Sequence, residues 1–263
     1  MNIAKQATIA LLTDFGSEDG YVGAMKGRIL TEFPGTTLVD ISHAIRPYDI
    51  RQAAFCLNNS YPYFPEKTVF VVVVDPGVGT SRQGIVIKTS QYYFVGPDNG
   101  VFSYVFHREG YQAFRIDLNA LPDDIANTFH GRDVFARIGA WLAAGKLPEN
   151  VLSPQKSVQS FIKIPHKTAG NRMNLEVLHI DHFGNLVLNL HRQDWQVLES
   201  PETYRLVINH LEFTTIRETF GDVPSGELLL LWDSSGYLQV SKNQGDAAKT
   251  LQINVGETAQ LFL

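Results

Sequence analysis

Between positions 68 and 87 the chain reads TVFVVVVDPGVGTSRQGIVI. Residues 69–74 are uninterruptedly apolar and mostly β-branched, which reads as a strand buried on both faces and therefore central in a parallel sheet. The run stops at Asp75-Pro76-Gly77-Val78-Gly79-Thr80, where proline fixes φ and the glycines permit positive φ. A carboxylate is thus delivered to the carboxyl end of a central strand, the edge at which open α/β sheets bind ligands. Arg82 follows just ahead of the next β-rich run, 85–87. By spacing alone, a turn-capping Asp75 and a solvated Arg82 fit as well as a reactive pair. Arg82 takes the place of the third glycine of a dinucleotide fingerprint, and the Lys-Ser/Thr of a phosphate loop is missing.

A chain of 263 residues with 44% hydrophobic content can bury a full core, as one large or two modest domains. Its net charge of −5 without a Lys/Arg cluster argues against a nucleic-acid partner. The lone Cys56 excludes an internal disulfide and a cysteine metal cluster. The apolar run at 7–12 is too short for a signal peptide, and no stretch approaches a membrane span. A soluble, cytoplasmic protein is expected.

Residues 8–12 predict a first strand ending at Thr13-Asp14-Phe15-Gly16, so Asp14 repeats the placement of Asp75. Residues 21–33 predict a helix with Val22, Met25, Ile29 and Leu30 on one face, stopped by Pro34-Gly35. A second strand at 36–41 precedes a loop with His43, Pro47 and Tyr48, and Asp49 caps a helix through Ala53, Ala54 and Leu57. Strand, helix, strand, helix, strand is the pattern of a doubly wound, mostly parallel sheet. A hairpin (84–89 and 91–95), a short helix near 101–106 and a strand at 113–116 come next. Asn127-Thr128-Phe129-His130-Gly131-Arg132-Asp133 then opens a helix that buries Val134, Phe135, Ile138, Trp141 and Leu142, with Gly145 beyond its end. The dipole at that N-terminus disfavours protonation of His130, in a place that suits a capping histidine equally.

Periodicity fades from about 148 to 171, then strands recur without long helices: 175–180, 186–190, 204–208, 227–231, 237–240, 251–255 and 258–263. The expected organisation is an α/β domain over 1–155, a linker at 156–172 and an all-β, barrel-like domain over 173–263. In His179-Ile180-Asp181-His182-Phe183-Gly184-Asn185 strand alternation sets His182 opposite His179 and Asp181, which is awkward for three metal ligands. A local Asp/Asn turn and a ligand-binding loop both remain open there.

LLTDFG, VDPGVGTSR, GPDNG, FHGRD, HIDHFGN and DSSGYL occur in the order and spacing of one family across nearly the whole chain. The chain resembles the S-adenosyl-L-methionine hydroxide adenosyltransferases, relatives of fluorinase and chlorinase. That resemblance implies metal-independent hydrolysis of S-adenosyl-L-methionine to adenosine and L-methionine, with no cofactor, by a homotrimer whose sites lie between subunits. It implies that Asp75, Arg82 and His130 hold the attacking water, that Asp14 binds the ribose diol and that Tyr48 packs on the substrate. Phe129 would touch the substrate near the reacting carbon, and Asp19 joins the binding set. Asp181 and Ser234 match holders of the methionine head, and Phe183 and Asn185 match adenine contacts. Ser234-Ser235 stands where the halogenases carry Ser-Arg for the methionine carboxylate, leaving Lys242 as the alternative cation. Two other classes compete: a metal-dependent hydrolase using Asp14, Asp75, His43 and His130, and a non-catalytic adenosine or S-adenosylmethionine sensor.

Overall fold

The computed structural model describes residues 7–162, 165, 167–168, 171–198 and 203–263. The chain divides into two compact units, Met1–Ile162 and Lys163–Leu263. The first runs β1 (Thr8–Thr13), α1 (Tyr21–Glu32), β2 (Thr37–Ser42), α2 (Ile50–Ser60), β3 (Val69–Val73), β4 (Gly84–Lys88), β5 (Tyr93–Pro97), α3 (Ser103–Arg108), β6 (Gln112–Ile116), α4 (Arg137–Ala144) and β7 (Leu152–Gln155).

Strand alternation decides its layering. Ile9, Leu11, Val69, Val71 and Val73 face one core with Met25 and Ile29 of α1 and Ile138 of α4. Ala10, Leu12, Phe70, Val72 and Val74 face the other, with Ala53 and Leu57 of α2 and Val101 and Phe102 beside α3. Helices therefore cover both faces, as the unbroken apolar run of β3 requires. Asp49 caps α2 by accepting a hydrogen bond from Gln52 N, in line with the sequence.

The sheet order is β2-β1-β3-β5-β4-β6-β7. β2, β1, β3 and β5 are parallel, and the hairpin of β4 and β5 begins an antiparallel extension through β6 and β7. Thr13 lies level with Val73 across the β1–β3 pair. The chain leaves β1 toward β2 on one side and returns through α2 to β3 on the other. This reversal opens a crevice beyond the carboxyl ends of β1 and β3.

The second unit runs β8 (Lys167–Thr168), β9 (Arg172–Ile180), β10 (Leu186–His191), α5 (Arg192–Val197), β11 (Arg205–Ile208), β12 (Leu211–Phe213), β13 (Ile216–Arg217), β14 (Leu228–Trp232), β15 (Tyr237–Lys242), α6 (Ala247–Leu251) and β16 (Thr258–Phe262). The path β12-β11-β16-β9-β10-β15-β14-β13, with β8 on β9, is antiparallel except for β13 beside β14. Nine-residue β9 pairs its first half with β16 and its second with β10. This bends one long sheet into a nearly closed barrel around Leu175, Val177, Leu188, Leu230 and Leu261.

Several local expectations change. Residues 251–255 are not a strand: Leu251 closes α6, which Asp246 caps by accepting from Lys249 N, and Gln252 takes a left-handed conformation that turns the chain before β16. Leu30 is 43% exposed, because α1 buries only the stripe through Met25 and Ile29. Within the aperiodic 148–171 stretch, β7 completes the first sheet by pairing with β6. Beyond it, Asp98 accepts from Gln159 N and Ser103 Oγ from Phe161 N, which ties that polar segment to the first unit. Among the described residues no helix is long and apolar enough to cross a membrane.

Candidate active site

Four side chains reach the crevice edge from different parts of the first unit. Asp14 directly follows β1, and Asp75 lies two residues past β3. Arg82 lies three residues past the Pro76–Gly79 turn, and His130 precedes a π-helical turn, Gly131–Ala136, that leads into α4. π turns frequently mark functional positions.

Asp75, Arg82 and His130 form one cluster. Arg82 Nε donates to Asp75 Oδ1 at 2.8 Å, and Arg82 Nη2 donates to Asp75 Oδ2, a bidentate pair. Arg82 Nη2 also lies 3.2 Å from His130 Nδ1. A guanidinium carries donors only, so Nδ1 accepts and the ring proton sits on Nε2. Burial, reinforced by the Arg82 charge, pushes His130 below the ordinary histidine range. The imidazole is thus neutral with a defined tautomer. The Arg82 guanidinium packs over the Phe135 ring at 5.2 Å from its centroid, a contact the sequence did not reveal. With the Asp75 side chain 5% and that of Arg82 12% exposed, this charge pair is largely desolvated.

Asp14 Oδ2 accepts from Tyr48 N at 2.8 Å. Tyr48 holds a left-handed φ of 67°, and the residue is 71% exposed. Burial raises the Asp14 carboxyl above its usual range against the Tyr48 N–H, and the negative field of Asp75 adds to the rise. Two carboxylates and one guanidinium leave the crevice edge with net negative charge. Phe129 completes an aromatic triangle with Phe15 and Tyr21 at centroid distances of 5.4–6.0 Å. Asp19 stands exposed on the turn before α1.

Behind His130, a charged network unforeseen from the apolar stripe of α4 pins the loop. The wholly buried Asp133 accepts from Ala126 N and from Arg132 Nε and Nη2. Arg137, 2% exposed, donates to Asp124 and Glu32, and Trp141 Nε1 donates to Glu32 on α1. Its sequence signal is the presence of Arg132, Asp133 and Arg137 beside an otherwise apolar stripe.

In the second unit, the loop between β9 and β10 is an aspartate turn. Asp181 Oδ1 accepts from Phe183 N and Asn185 N, and Oδ2 accepts from Asn185 Nδ2. Both Asp181 oxygens are therefore engaged in shaping the turn, which presents Phe183 at 72% exposure over a buried Asn185. Ser234 sits on the β14–β15 turn, where Asp233 Oδ1 accepts from Ser235 N and Tyr237 N. The β10–β15 register, Leu186 with Val240 and His191 with Tyr237, puts that turn at the opposite end of the ladder from Asp181. At about 3.4 Å per residue the two turns stand roughly 15 Å apart. Asp181 and Ser234 thus do not converge within the unit. Lys242 lies at the Asn185 end of β15 and donates to Thr250 Oγ1, so it does not substitute for an arginine beside Ser234. Among the described residues no group of three His, Cys, Asp or Glu is disposed to hold a metal ion. Nδ1 of His43 is taken by Thr13 Oγ1, and Asp40 Oδ1 lies 3.1 Å from Nε2 without making a hydrogen bond.

A desolvated Asp–Arg–His cluster at the switch point of a doubly wound sheet, in a chain that also carries a β-barrel unit, defines a two-domain enzyme-like architecture. A family model described as the SAM hydroxide adenosyltransferase N-terminal domain matches residues 9–152, and its C-terminal counterpart matches 175–260. The chain belongs to the SAM hydroxide adenosyltransferase family. It is 36% identical to the (R)-S-adenosyl-L-methionine hydrolase of Thermus thermophilus, over 97% of this chain and 99% of that one. The enzyme of the same name from Methanocaldococcus jannaschii is 35% identical, covering 94% and 92% respectively. A fluorinase from an Actinoplanes species is more distant, 27% identical over 95% of each chain. The fold matches a crystal structure of an uncharacterized conserved protein from Thermotoga maritima with a TM-score of 0.87 and 36% identity, over 97% of this chain and 100% of that one.

Proposed function

We propose that this protein hydrolyses S-adenosyl-L-methionine to adenosine and L-methionine. The observation that carries the reading is the convergence of Asp75, Arg82 and His130 beside Asp14 in a member of this family. Water attacks C5′ in line, the C5′–O bond forms, and the C5′–S bond breaks as methionine leaves as a neutral thioether. A sulfonium needs neither a general acid nor a Lewis acid to depart. The work is to hold the water and stabilise its developing negative charge. Arg82 supplies the charge and Asp75 orients Arg82; Asp75 is the proton acceptor in reach of a water held there, while His130, whose Nδ1 is taken by Arg82, offers its Nε2–H to orient that water. The cationic substrate also suits the negative crevice edge, because a sulfonium beside Asp14 and Asp75 relieves their mutual repulsion. Adenosine and methionine are expected to form equally fast with and without EDTA; loss in EDTA, restored by a divalent ion, would establish the metallohydrolase instead. Tight binding of S-adenosylmethionine without adenosine release would make the protein a sensor.

The proposal extends to a homotrimer with composite sites, in which Asp14 holds the ribose and Tyr48, Phe129 and Asp19 line the substrate. Phe183 and Asn185 meet the adenine, and Ser234 meets the methionine head. A cytoplasmic location accords with a single unpaired cysteine. Asp14→Ala and Asn185→Ala homomers should each be nearly inactive, and subunit exchange between them should restore activity in the mixture. A monomer in sedimentation, or no recovery after verified exchange, rules out shared sites.

A further inference from the structure

Beneath Asp14 runs a chain of polar contacts that the water-holding cluster does not use. Lys26 Nζ on α1 donates to Asp40 Oδ2 at 2.6 Å, and Asp40 Oδ1 lies 3.1 Å from His43 Nε2. His43 Nδ1 meets Thr13 Oγ1 at 2.8 Å, and Thr13 Oγ1 accepts from Phe15 N at 3.2 Å. Gly16 N donates to the His43 carbonyl at 2.8 Å. Asp40 Oδ1 stands beside Nε2 without hydrogen-bond alignment, and the Thr13 hydroxyl, which already accepts from Phe15 N, donates to Nδ1. Asp, His and a hydroxyl in this order invite comparison with a nucleophilic triad, but Thr13 is wholly buried and reaches no substrate. Its position matters instead. The chain is clipped to His43 at Thr13 and at Gly16, on either side of Asp14.

We propose that Thr13 and His43 are positioning residues that aim the Asp14 carboxylate at its ligand, a vicinal diol. This deepens the proposed function and rests on it, since the ligand is the ribose of the nucleoside substrate. β1 and β2 place Thr13 and Ser42 at one sheet edge (Leu12 pairs with Ser42). A loop without further restraint would leave Asp14 free to rotate away from Tyr48 N.

Thr13→Val removes the hydroxyl and keeps the shape, and Thr13→Ser keeps the hydroxyl. His43→Ala removes the acceptor, whereas His43→Asn puts an amide oxygen near the place of Nδ1. Thr13→Val and His43→Ala should raise KM for S-adenosylmethionine about tenfold with kcat within about threefold, the scale of one lost hydrogen bond that orders a binding group. Thr13→Ser and His43→Asn should restore KM. In an Asp14→Asn background, Thr13→Val should add nothing to KM, because the group it aims is already disabled. An unchanged KM in Thr13→Val, or a tenfold rise that persists in the Asp14→Asn background, overturns the assignment. If the wild type makes no adenosine, the functional reading fails separately. Amide exchange then still decides the clip: the Phe15 and Gly16 amides should exchange faster in Thr13→Val and His43→Ala, and unchanged exchange refutes it. Should Thr13→Val not fold, the His43 pair carries the same comparison.

Discussion

Arg82→Ala is expected to slow adenosine formation by roughly 10²–10⁴, the range for positioned groups in proton-transfer chemistry. Asp75 and His130 each hold Arg82, so the substitution removes the centre of the cluster. A buried carboxylate is left unpaired, and His130 loses both the donor at Nδ1 and the cation that adds to burial in holding it below the ordinary histidine range. The attacking water then lacks its positive partner. Asp75→Ala and His130→Ala are expected within the same range. Single-turnover rates with saturating S-adenosylmethionine, beside thermal melts, separate lost chemistry from lost folding. A near-wild-type rate in a folded Arg82→Ala protein would remove the cluster from the mechanism.

Gly79→Ala is expected to lower kcat by about 10²-fold although residue 79 touches no substrate, because small misplacements of reacting groups cost that much. Gly79 has a φ of 75°, and a Cβ there would lie 2.8 Å from the Asn127 carbonyl oxygen. That oxygen belongs to the loop that carries His130. The turn bearing Arg82 and the loop bearing His130 therefore meet backbone to backbone at this residue. A methyl group drives them apart while a left-handed alanine strains the turn, by about 1–2 kcal/mol. Circular dichroism should stay native, since both segments lie outside the sheet, and KM should change little because Asp14 is on another loop. An unaltered kcat would mean that the 3.2 Å Arg82–His130 contact is not used.

Much of the local chemistry is legible in the chain. The apolar run at 69–74 reads as a strand covered on both faces, and Asp14 and Asp75 each follow a β run at the edge where such sheets bind ligands; that the two strands are neighbours is a finding of the fold. The Asp49 cap and the hairpin of β4 and β5 were equally plain, because capping and turn formation depend on residues a few positions apart. The strand expected at 251–255 is absent because five residues are too few for period to choose between 2 and 3.6: Leu251 ends the short helix α6, and Gln252 in the left-handed region turns the chain away. Leu30 went wrong for another reason: one helix turn cannot say which side of an apolar arc the sheet will cover.

What only the tertiary structure decided is which distant groups meet. His130 comes to Arg82 across 48 positions because α4 packs on the same face of β3 as α1, anchored through Arg137, Glu32 and Asp124. Thr13 finds His43 because β2 lies beside β1, and no spacing rule encodes that pairing. Asp181 and Ser234, joined by motif order alone, are held apart because β10 and β15 run antiparallel and their turns lie at opposite ends. Local composition sets the conformation of each segment through short-range sterics and hydrogen bonds. The juxtaposition of segments follows from strand order and the sharing of two hydrophobic faces, which are properties of the whole folded chain.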